Sequence, residues 1–283
     1  MDYWQVDVFA DRPLSGNGLT VFPDASGLTS RTMQELTQEF RQFESVFLTA
    51  WEGDSVTARI FTMEEELAFA GHPVLGAAAL CHHLSRSEST RDWSFQLPSM
   101  TLPVRTSPLE SGIHAEMSPG RASFGASLTA DDASWFADAF SARHDARFPA
   151  EVVSSGLPYL LLPVTSATLA RARQRRPVQS RLASLGAAFV YLLDVDAIEG
   201  RTWDPAGNIE DVATGSAAGP VAAYLVAHGA AVRGEELTIR QGRFVGRPSR
   251  ICATVDHDDR ITVSGVVQVI ASGSLVATLD ETR

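Results

Sequence analysis

Three ionisable residues stand where a side chain can take part in proton transfer. Glu44 lies between a predicted helix and an apolar strand. A carboxyl at such a junction can be partly desolvated, which raises its pKa toward the range useful for a general acid or base. His72 follows Gly71 at the start of an apolar segment, and Asp211 precedes Gly215 by four residues. Taken alone, Glu44 also fits an exposed surface glutamate, which is the usual place for this residue.

Each of the other polar candidates has two interpretations. The field of a helix start disfavours an imidazolium, so His72 is predicted to be a neutral hydrogen-bonding group, or alternatively a buried cap. Asp211 can accept a proton from a substrate amino or hydroxyl group, or it can bind the amides of its own loop. Ser216 can donate to an oxyanion or carboxylate, or cap the helix that it begins.

An internal repeat places these residues on equivalent elements in the two halves of the chain. In each half, an arginine and an aromatic residue on a strand precede a glutamate, a glycine and an apolar helix. These residues are Arg59, Phe61, Glu66 and Gly71 in the first half, and Arg201, Trp203, Glu210 and Gly215 in the second. The repeat predicts two similar units, each with a buried helix. Chance likeness of two strand–helix units is the alternative.

The two glycines stand at the predicted starts of the apolar helices. A helix N-terminus presents unpaired backbone N–H groups and partial positive charge. Two such ends facing each other across a cleft would form a small anion cradle, suited to one carboxylate. Gly71 and Gly215 would leave the approach open because they have no side chain. The alternative is a pair of ordinary helix caps.

Strand and helix signals alternate along the chain, which predicts an α/β fold. Helices are predicted over residues 29–43, 73–84, 167–175 and 215–229, and the last predicted strand covers residues 274–279. The apolar composition of the second and fourth helices predicts that both are buried.

A stretch rich in glycine, serine and proline, residues 107–127, is the predicted domain boundary. It separates a half formed by residues 1–115 from a half formed by residues 125–268. A C-terminal strand near residues 270–283 is predicted to join the first half.

Composition excludes several classes of function. The 283 residues carry 34 acidic and 23 basic side chains, a net charge of −11, so nucleic acid and membrane surfaces are not expected partners. All 23 basic residues are arginine, which excludes a lysine Schiff base. The two cysteines, Cys81 and Cys252, cannot form a disulfide scaffold. The histidines lack metal-ligand spacing, and no signal peptide or membrane-spanning segment is found, so a cytoplasmic protein without metal or cofactor is predicted.

Three segments resemble the PhzF family of phenazine-biosynthesis isomerases. They read AGHPVLG at residues 70–76, EDVATGSAAGP at 210–220 and QGRFVGRPS at 241–249, and residues 7–17 resemble the start of that family. The resemblance implies a diaminopimelate-epimerase-like fold, an α/β (α+β) architecture. In it, two pseudo-symmetric halves each wrap a mixed sheet around a central buried helix, with the active site in the cleft between them. It also implies a homodimer that works without metal or organic cofactor.

The same resemblance implies roles for single residues. Glu44 is implied as the general acid and base, with His72 and Asp211 as catalytic partners that relay or orient a proton. The substrate-binding residues that it implies are Gly71, Gly215, Ser216 and Asn17.

Two departures from the family pattern bear on the substrate and the mechanism. The segment Arg41-Gln42-Phe43 replaces the usual Asn-Leu-Ser, which makes Arg41 and Phe43 candidates for substrate specificity. Racemases of the superfamily carry a cysteine before each glycine, whereas this chain has Ala70 and Thr214. A mechanism with two thiol bases is therefore not available to it.

Together these features predict a cofactor-independent isomerase that moves a proton within a small unsaturated (amino) carboxylic acid, in antibiotic or other specialised-metabolite biosynthesis. Two alternatives stay open. One is a single-base epimerase or lyase of the same fold, and the other is a non-catalytic carboxylate-binding or scaffold protein.

Overall fold

The computed structural model describes residues 1–204, 207 and 209–277. The strands within these residues are β1 (Asp2–Val8), β2 (Asn17–Phe22), β3 (Glu44–Glu52), β4 (Ser55–Thr62), β5 (Glu66–Leu67), β6 (Arg91–Gln96), β7 (Thr101–Leu109), β8 (Gly112–Arg121), β9 (Ser123–Ser127), β10 (Glu151–Ser154), β11 (Pro158–Pro163), β12 (Phe189–Asp194), β13 (Glu199–Thr202), β14 (Leu237–Gln241), β15 (Ser249–Val255) and β16 (Arg260–Ser274). The α-helices are α1 (Ser30–Phe40), α2 (Gly71–Ser85), α3 (Ala130–Ala139), α4 (Ser166–Leu169), α5 (Gln179–Leu185) and α6 (Gly215–Ala227).

The chain divides into two compact units. Unit 1 contains Met1–Met117 and Ser264–Arg283, and unit 2 contains Ser118–Val263. Unit 1 is therefore formed by both ends of the sequence, whereas unit 2 is one continuous stretch.

Unit 1 is a closed strand barrel. Its strands follow the order β1-β2-β3-β4-β6-β7-β8, and residues 264–274 of β16 lie between β8 and β1. Helix α2 packs against β1, β2, β3, β6 and β7. Gly76 marks a close approach, because a Cβ atom there would lie 2.5 Å from Leu19 and 2.9 Å from Val8. The small residues of α2 thus allow the helix to be buried among the strands.

Unit 2 is built in a similar way around α6. Its strands follow the order β15-β14-β13-β12-β11-β10-β9. Helix α6 packs against β10, β11 and β15, and most of its residues are buried. A second apolar cluster lies on the other side of β10, β11 and β12, where they pack against α3, α4 and α5. The sequence prediction that residues 73–84 and 215–229 form buried helices is confirmed.

The stretch of residues 107–127, predicted as the domain boundary, contains the change from unit 1 to unit 2 between Met117 and Ser118, and it is formed largely of strands. Strands β7, β8 and β9 occupy this stretch, and unit 1 ends inside β8. Alternate residues point into the core, with Val104, Ile113, Ala115 and Met117 all buried. In β7 and the first part of β8, this alternation accounts for the strands, because apolar side chains at every second position bury one face. Strand β9 is exposed along its length and pairs with β10.

Two predicted helices are shorter than expected. Helix α1 ends at Phe40 because Arg41 adopts a left-handed conformation (φ 52°), so Phe43 lies outside the helix. The helix predicted over 167–175 is limited to α4, because later N–H groups in this stretch do not form α-helical hydrogen bonds. The N–H groups of Arg173 and Arg175 donate instead to carbonyl oxygens at the end of α3, over 2.9 and 2.7 Å.

The last predicted strand, over residues 274–279, is also not observed as such. Strand β16 ends at Ser274, and residues 278 and 279 lie outside the described residues.

Candidate active site

Glu44 and His72 lie side by side in unit 1. Glu44 is the first residue of β3 and pairs with Thr62 of β4. His72 is the second residue of α2 and is only 7% exposed. Oε2 of Glu44 lies 3.4 Å from Nε2 of His72, a contact in which Nε2 forms no hydrogen bond within the described residues. A shift of a few tenths of an ångström would bring the two atoms into hydrogen-bonding range.

His72 is held as a neutral imidazole. Burial lowers the pKa of His72 to about 3, so the ring carries no charge at neutral pH. The sequence prediction of a neutral histidine is confirmed, although the cause is burial and not the field of the helix. A neutral imidazole can donate to a carboxylate or accept from a carboxylic acid. With the proton on Nε2, His72 can donate to Oε2 of Glu44 whether or not the other carboxyl oxygen carries a proton.

The remaining unit 1 candidates take different positions. Asn17 is buried at the first position of β2, and β2 runs parallel to β3, so Asn17 and Glu44 begin neighbouring strands at the same end. Phe43 directly precedes Glu44 and is half-buried. Arg41 is exposed at the end of α1. Gly71 begins α2, one residue before His72.

In unit 2, Asp211 is bound to its own loop. Its Oδ2 accepts a hydrogen bond from the hydroxyl of Thr214 (2.5 Å), and Oδ1 accepts from the N–H of Ala213 (3.3 Å). The N–H of Asp211 donates to the carbonyl oxygen of Thr202 (3.0 Å). This is the second of the two interpretations that the sequence allowed. It fixes the carboxylate in the segment that leads into α6.

Ser216 pairs with a buried phenol. Its hydroxyl lies 2.7 Å from that of Tyr159, whose ring stacks on Phe189 with 5.4 Å between the ring centroids. Thr214 stands at the N-cap position of α6 and Gly215 begins the helix, so the interpretation of Ser216 as the cap is wrong. The hydroxyl of Ser216 is positioned by the strands β11 and β12, which carry the two aromatic residues.

The internal repeat is present as one set of contacts in each unit. In unit 1, the guanidinium of Arg59 binds both carboxylate oxygens of Glu66 (2.7 and 2.5 Å) and lies over the ring of Phe61. In unit 2, the Arg201 guanidinium binds Glu210 in the same way (2.8 and 2.6 Å). It lies over the ring of Trp203.

The two copies of the repeat also have the same backbone pairing. Phe61 pairs with Glu66 across two antiparallel strands, and Trp203 pairs with Glu210 across an antiparallel bridge. Chance likeness of the two sequence segments therefore does not explain the repeat. In both units, the arginine–glutamate pair holds the loop that leads to the buried helix.

Gln241 is the residue near Asp211 that the sequence analysis did not assign to the site. It is buried and forms hydrogen bonds with Tyr191, Thr214 and the backbone of Asp211. A signal was present in the sequence, because Gln241 alternates with Ile239 and so shares the inward face of β14. A buried glutamine needs hydrogen-bond partners, and the segment 210–220 supplies them.

Within residues 1–204, 207 and 209–277, no group of three or more histidine, cysteine, aspartate or glutamate side chains could hold a metal ion. No helix among these residues is long and apolar enough to cross a membrane. Cys81 is buried within α2, and burial raises the pKa of its thiol, so it is not a candidate base.

Comparison with known proteins identifies the family. Residues 6–273 match the family model PhzC-PhzF, described as phenazine biosynthesis-like protein. This chain belongs to the PhzF family. It is 32% identical to the trans-2,3-dihydro-3-hydroxyanthranilate isomerase of Pseudomonas chlororaphis, over 97% of this chain and 99% of the relative. The isomerase of the same name from Pseudomonas aeruginosa is 31% identical, over 97% of each chain. These curated relatives identify the PhzF-family protein described here as an isomerase.

Solved structures share the fold of this chain. A predicted epimerase from Pseudomonas aeruginosa is 55% identical, with a TM-score of 0.93 over 98% of this chain and 99% of that one. A structure described as a probable proline racemase, from Agrobacterium radiobacter, shares the fold at 14% identity, with a TM-score of 0.65 over 98% and 93% of the two chains. The predicted fold class is confirmed. The shared cleft that the sequence predicts for Gly71 and Gly215 stays a prediction.

Proposed function

We propose that this PhzF-family protein is a cofactor-independent isomerase with Glu44 as its general acid and base. Glu44 takes a proton from one carbon of a small unsaturated carboxylic acid, the double bond moves, and the proton is returned to another carbon. One proton is removed from the substrate and one is added, so the reaction needs no oxidant or reductant. The contact between the Glu44 carboxyl and the buried, neutral His72 ring, at 3.4 Å, carries this proposal.

The neutral ring matters because of its effect on the carboxyl. A charged imidazolium at this distance would stabilise the carboxylate and make Glu44 a weaker base. The neutral ring leaves the carboxyl able to accept a proton, and its Nε2–H can donate to Oε2 both before and after the other carboxyl oxygen takes up a proton. The start of α2 at Gly71 offers N–H groups for a substrate carboxylate one residue from His72.

The proposed substrates are unsaturated amino carboxylic acids of specialised metabolism. The relatives named above act on trans-2,3-dihydro-3-hydroxyanthranilate, which is the first compound to test. Residues 41–43 depart from the family pattern and Phe43 adjoins Glu44, so a different ring or chain is compatible with the site. The predicted homodimer and cytoplasmic location stay predictions.

The deciding experiment replaces the carboxyl by an amide. In D2O, the protein is expected to convert the test compound and to incorporate deuterium at the carbon that receives the proton. Glu44→Gln preserves the size of the side chain and removes the base, so kcat should fall by about 10²-fold or more. Glu39→Gln, an exposed position on α1, is the matched control and should retain the activity. Unchanged turnover by Glu44→Gln would refute the role of Glu44.

A single-base epimerase is the second candidate. The structure that is 55% identical belongs to a predicted epimerase, which favours this reaction for the present chain. Epimerisation would show deuterium at a stereocentre together with inversion of its configuration, whereas isomerisation moves the double bond. Proton NMR of one reaction mixture distinguishes these products, and both reactions should depend on Glu44.

A further inference from the structure

One long stretch of this acidic chain contains no acidic residue. Residues 152–193 have five arginines and neither aspartate nor glutamate, whereas the whole chain has a net charge of −11. All five arginines are exposed, and they lie between the end of α4 and the first turn of α5. Together with a tryptophan of α3 they form a surface that we call the arginine patch, which consists of Arg171, Arg173, Arg175, Arg176, Arg181 and Trp135.

The backbone places Arg173 and Arg175 side by side. Their N–H groups both donate to carbonyl oxygens at the end of α3, over 2.9 and 2.7 Å. N–H groups two residues apart that point to the same side indicate an extended backbone, in which side chains at alternate positions share one face. Gln174 between them is half-buried and packs the other way, since a Cβ atom at Gly207 would lie 2.4 Å from its side chain. The two arginine side chains therefore leave the backbone about 6.6 Å apart on one exposed face.

The end of α3 does not require the charges of these arginines. The last carbonyl groups of a helix lack partners inside the helix and carry partial negative charge, so a cation is a common cap there. Here backbone N–H groups already bind these carbonyl oxygens. The side chain of Arg175 donates to the hydroxyl of Ser141 (3.1 Å), and the guanidinium of Arg173 has no hydrogen-bond partner among residues 1–204, 207 and 209–277. The two charges thus face solvent and are not used as helix caps.

The arginine patch also has few counter-charges. Arg181 lies 3.7 Å from a carboxylate oxygen of Asp132. Within the part of the chain that the structure describes, the other four arginines of the patch form no ion pair. Arginines elsewhere on the surface are paired, as Arg91 is with Asp54. The patch is therefore a local region of positive potential on an otherwise negative protein.

Trp135 holds two of the guanidinium groups in place. The Cζ atoms of Arg176 and Arg181 lie 4.4 and 3.9 Å from the centroid of its ring. Arg176 also donates to the backbone carbonyl oxygen of Trp135 over 3.0 Å. Cation–π contacts restrict both side chains, so less conformational entropy is lost when a partner binds them.

We propose that the arginine patch is a docking surface for an acidic segment of a partner protein. An extended segment with glutamate or aspartate at every second residue presents carboxylates about 6.6 Å apart, which matches the spacing of Arg173 and Arg175. A guanidinium binds a carboxylate through two parallel hydrogen bonds, so the residue type suits this partner. The surface lies within unit 2, and its role is independent of the proton transfer proposed for Glu44.

The charge of the rest of the chain favours a short acidic segment over nucleic acid. Outside the patch the chain is more acidic than its net charge of −11, so a nucleic acid that extends beyond the patch is repelled. A short segment contacts the patch alone, and screening over about 8 Å at physiological ionic strength limits its repulsion by the remaining surface. Trp135 already carries two guanidinium groups, so its ring is not free to stack on a base.

Titration with a defined acidic peptide tests the proposal. The probe is a short fluorescein-labelled peptide of alternating glutamate and serine, and fluorescence anisotropy follows its titration with the full chain. We expect saturable binding with a Kd below about 1 mM at about 50 mM NaCl. The Kd should rise at least about threefold at about 200 mM NaCl, because salt screens exposed charges. The neutral peptide of alternating glutamine and serine should not bind, and absence of saturable binding by the acidic peptide would overturn the proposal.

Charge reversal locates the binding surface. The double variant Arg173→Glu/Arg175→Glu should raise the Kd at least about tenfold, because two attractive contacts become repulsive. The matched control, Arg12→Glu/Arg86→Glu, makes the same change of net charge at exposed positions of unit 1 and should raise the Kd less than about twofold. All four positions are exposed, so the melting temperatures should agree within about 2 °C. Equal effects of the two double variants would show that net charge governs binding, and the proposal would be wrong.

Two further measurements test other occupants of the patch. Single-stranded DNA of the same charge as the peptide should bind more weakly than the peptide, and tighter binding that is lost on charge reversal would assign the patch to nucleic acid instead. Sedimentation velocity should give the same oligomeric state for the wild type and the patch variant. A change of that state would identify a second copy of this chain as the occupant and would overturn the proposal. The patch variant should keep the activity that depends on Glu44, so peptide binding and the proposed reaction are decided separately.

Discussion

At the scale of single residues, protonation state is the main consequence of burial. His72 is neutral because its ring is enclosed at the start of α2, and it contacts the only carboxyl that we assign to proton transfer. Asp211 is surrounded by donors of its own loop. The carboxyls of Glu44 and Asp211 therefore have different surroundings. Glu44 faces the neutral ring of His72, whereas Asp211 accepts hydrogen bonds from its own loop.

The buried imidazole makes stability depend on pH. The pKa of His72 is about 3 in the folded chain and 6.5 in its ordinary state, so between these values the unfolded chain binds a proton that the folded chain does not. The free energy of unfolding should thus fall as the pH is lowered from about 6.5 toward 3, by up to about 1.4 kcal/mol per pH unit from this group. Urea unfolding at several pH values measures the slope. His72→Asn should remove this contribution, exposed His257→Asn should keep it, and equal slopes in the wild type and His72→Asn would contradict the prediction.

At the scale of elements, the two arginine–glutamate pairs form the same contact but differ in solvent exposure. Arg201 and Glu210 are 8% and 9% exposed, whereas Arg59 and Glu66 are 26% and 31% exposed. Both pairs tie a strand to the loop before a buried helix. The deeper pair carries the larger penalty when one partner is removed, because the remaining charge stays buried.

Neutralising the glutamate in each unit tests this difference. Glu210→Gln leaves Arg201 without a counter-charge and should lower the free energy of unfolding by about 3 kcal/mol. Glu66→Gln, the matched change in unit 1, should cost about 1 kcal/mol or less because water screens the pair. Urea unfolding at neutral pH measures both values. Equal effects would show that the depth of burial does not determine the contribution of the pair.

The tight packing of β13 allows a second test at this scale. Gly200→Ala would place a methyl group 2.0 Å from the Tyr191 ring, so the ring or the strand must move. Overpacking of this kind should lower the free energy of unfolding by about 3 kcal/mol. Gly125→Ala in β9 is the control, since its added atom would lie 3.4 Å from Val152, an ordinary contact. Thermal unfolding that shows the same small change for both variants would argue against the packing of Tyr191 described above.

At the scale of the whole molecule, the two units differ in how the chain forms them. Unit 2 is continuous, but unit 1 closes only when β16 pairs with β1, as in the pair Val8 and Val267. Closing so long a loop costs conformational entropy before the strand pairing compensates for it. The order in which the units form should reflect this cost.

Folding kinetics test that expectation. Amide protons of β12, which pairs with its neighbours inside unit 2, should gain protection before those of β1 that bond to β16. Pulsed hydrogen exchange during refolding from urea, read by NMR or mass spectrometry, compares the two strands. Strand β11 is the internal control and should follow β12. Protection of β1 before β12 would contradict the expected order.

Part of this structure can be predicted from the sequence because it depends on local patterns. The apolar runs of α2 and α6 predict buried helices, and both are observed. The order of an arginine, an aromatic residue and a glutamate before each apolar helix, with Arg59 and Glu66 in one half and Arg201 and Glu210 in the other, predicts two related units. Composition pointed to residues 107–127 as a domain boundary, and the chain passes from unit 1 to unit 2 within them, but composition did not predict the strands that form this stretch in spite of its glycines and prolines.

The sequence by itself therefore determined the family, the repeat and the identity of the acid–base candidates, since these depend on residue types and short spacings. The sequence also predicted a neutral His72, but tertiary structure alone decided the cause, because desolvation is a property of the packed interior. It also decided that Gln241 orients Thr214 and Asp211, about thirty residues away in the chain. The direction of a hydrogen bond depends on which donors and acceptors the fold brings together, and local periodicity does not encode that choice.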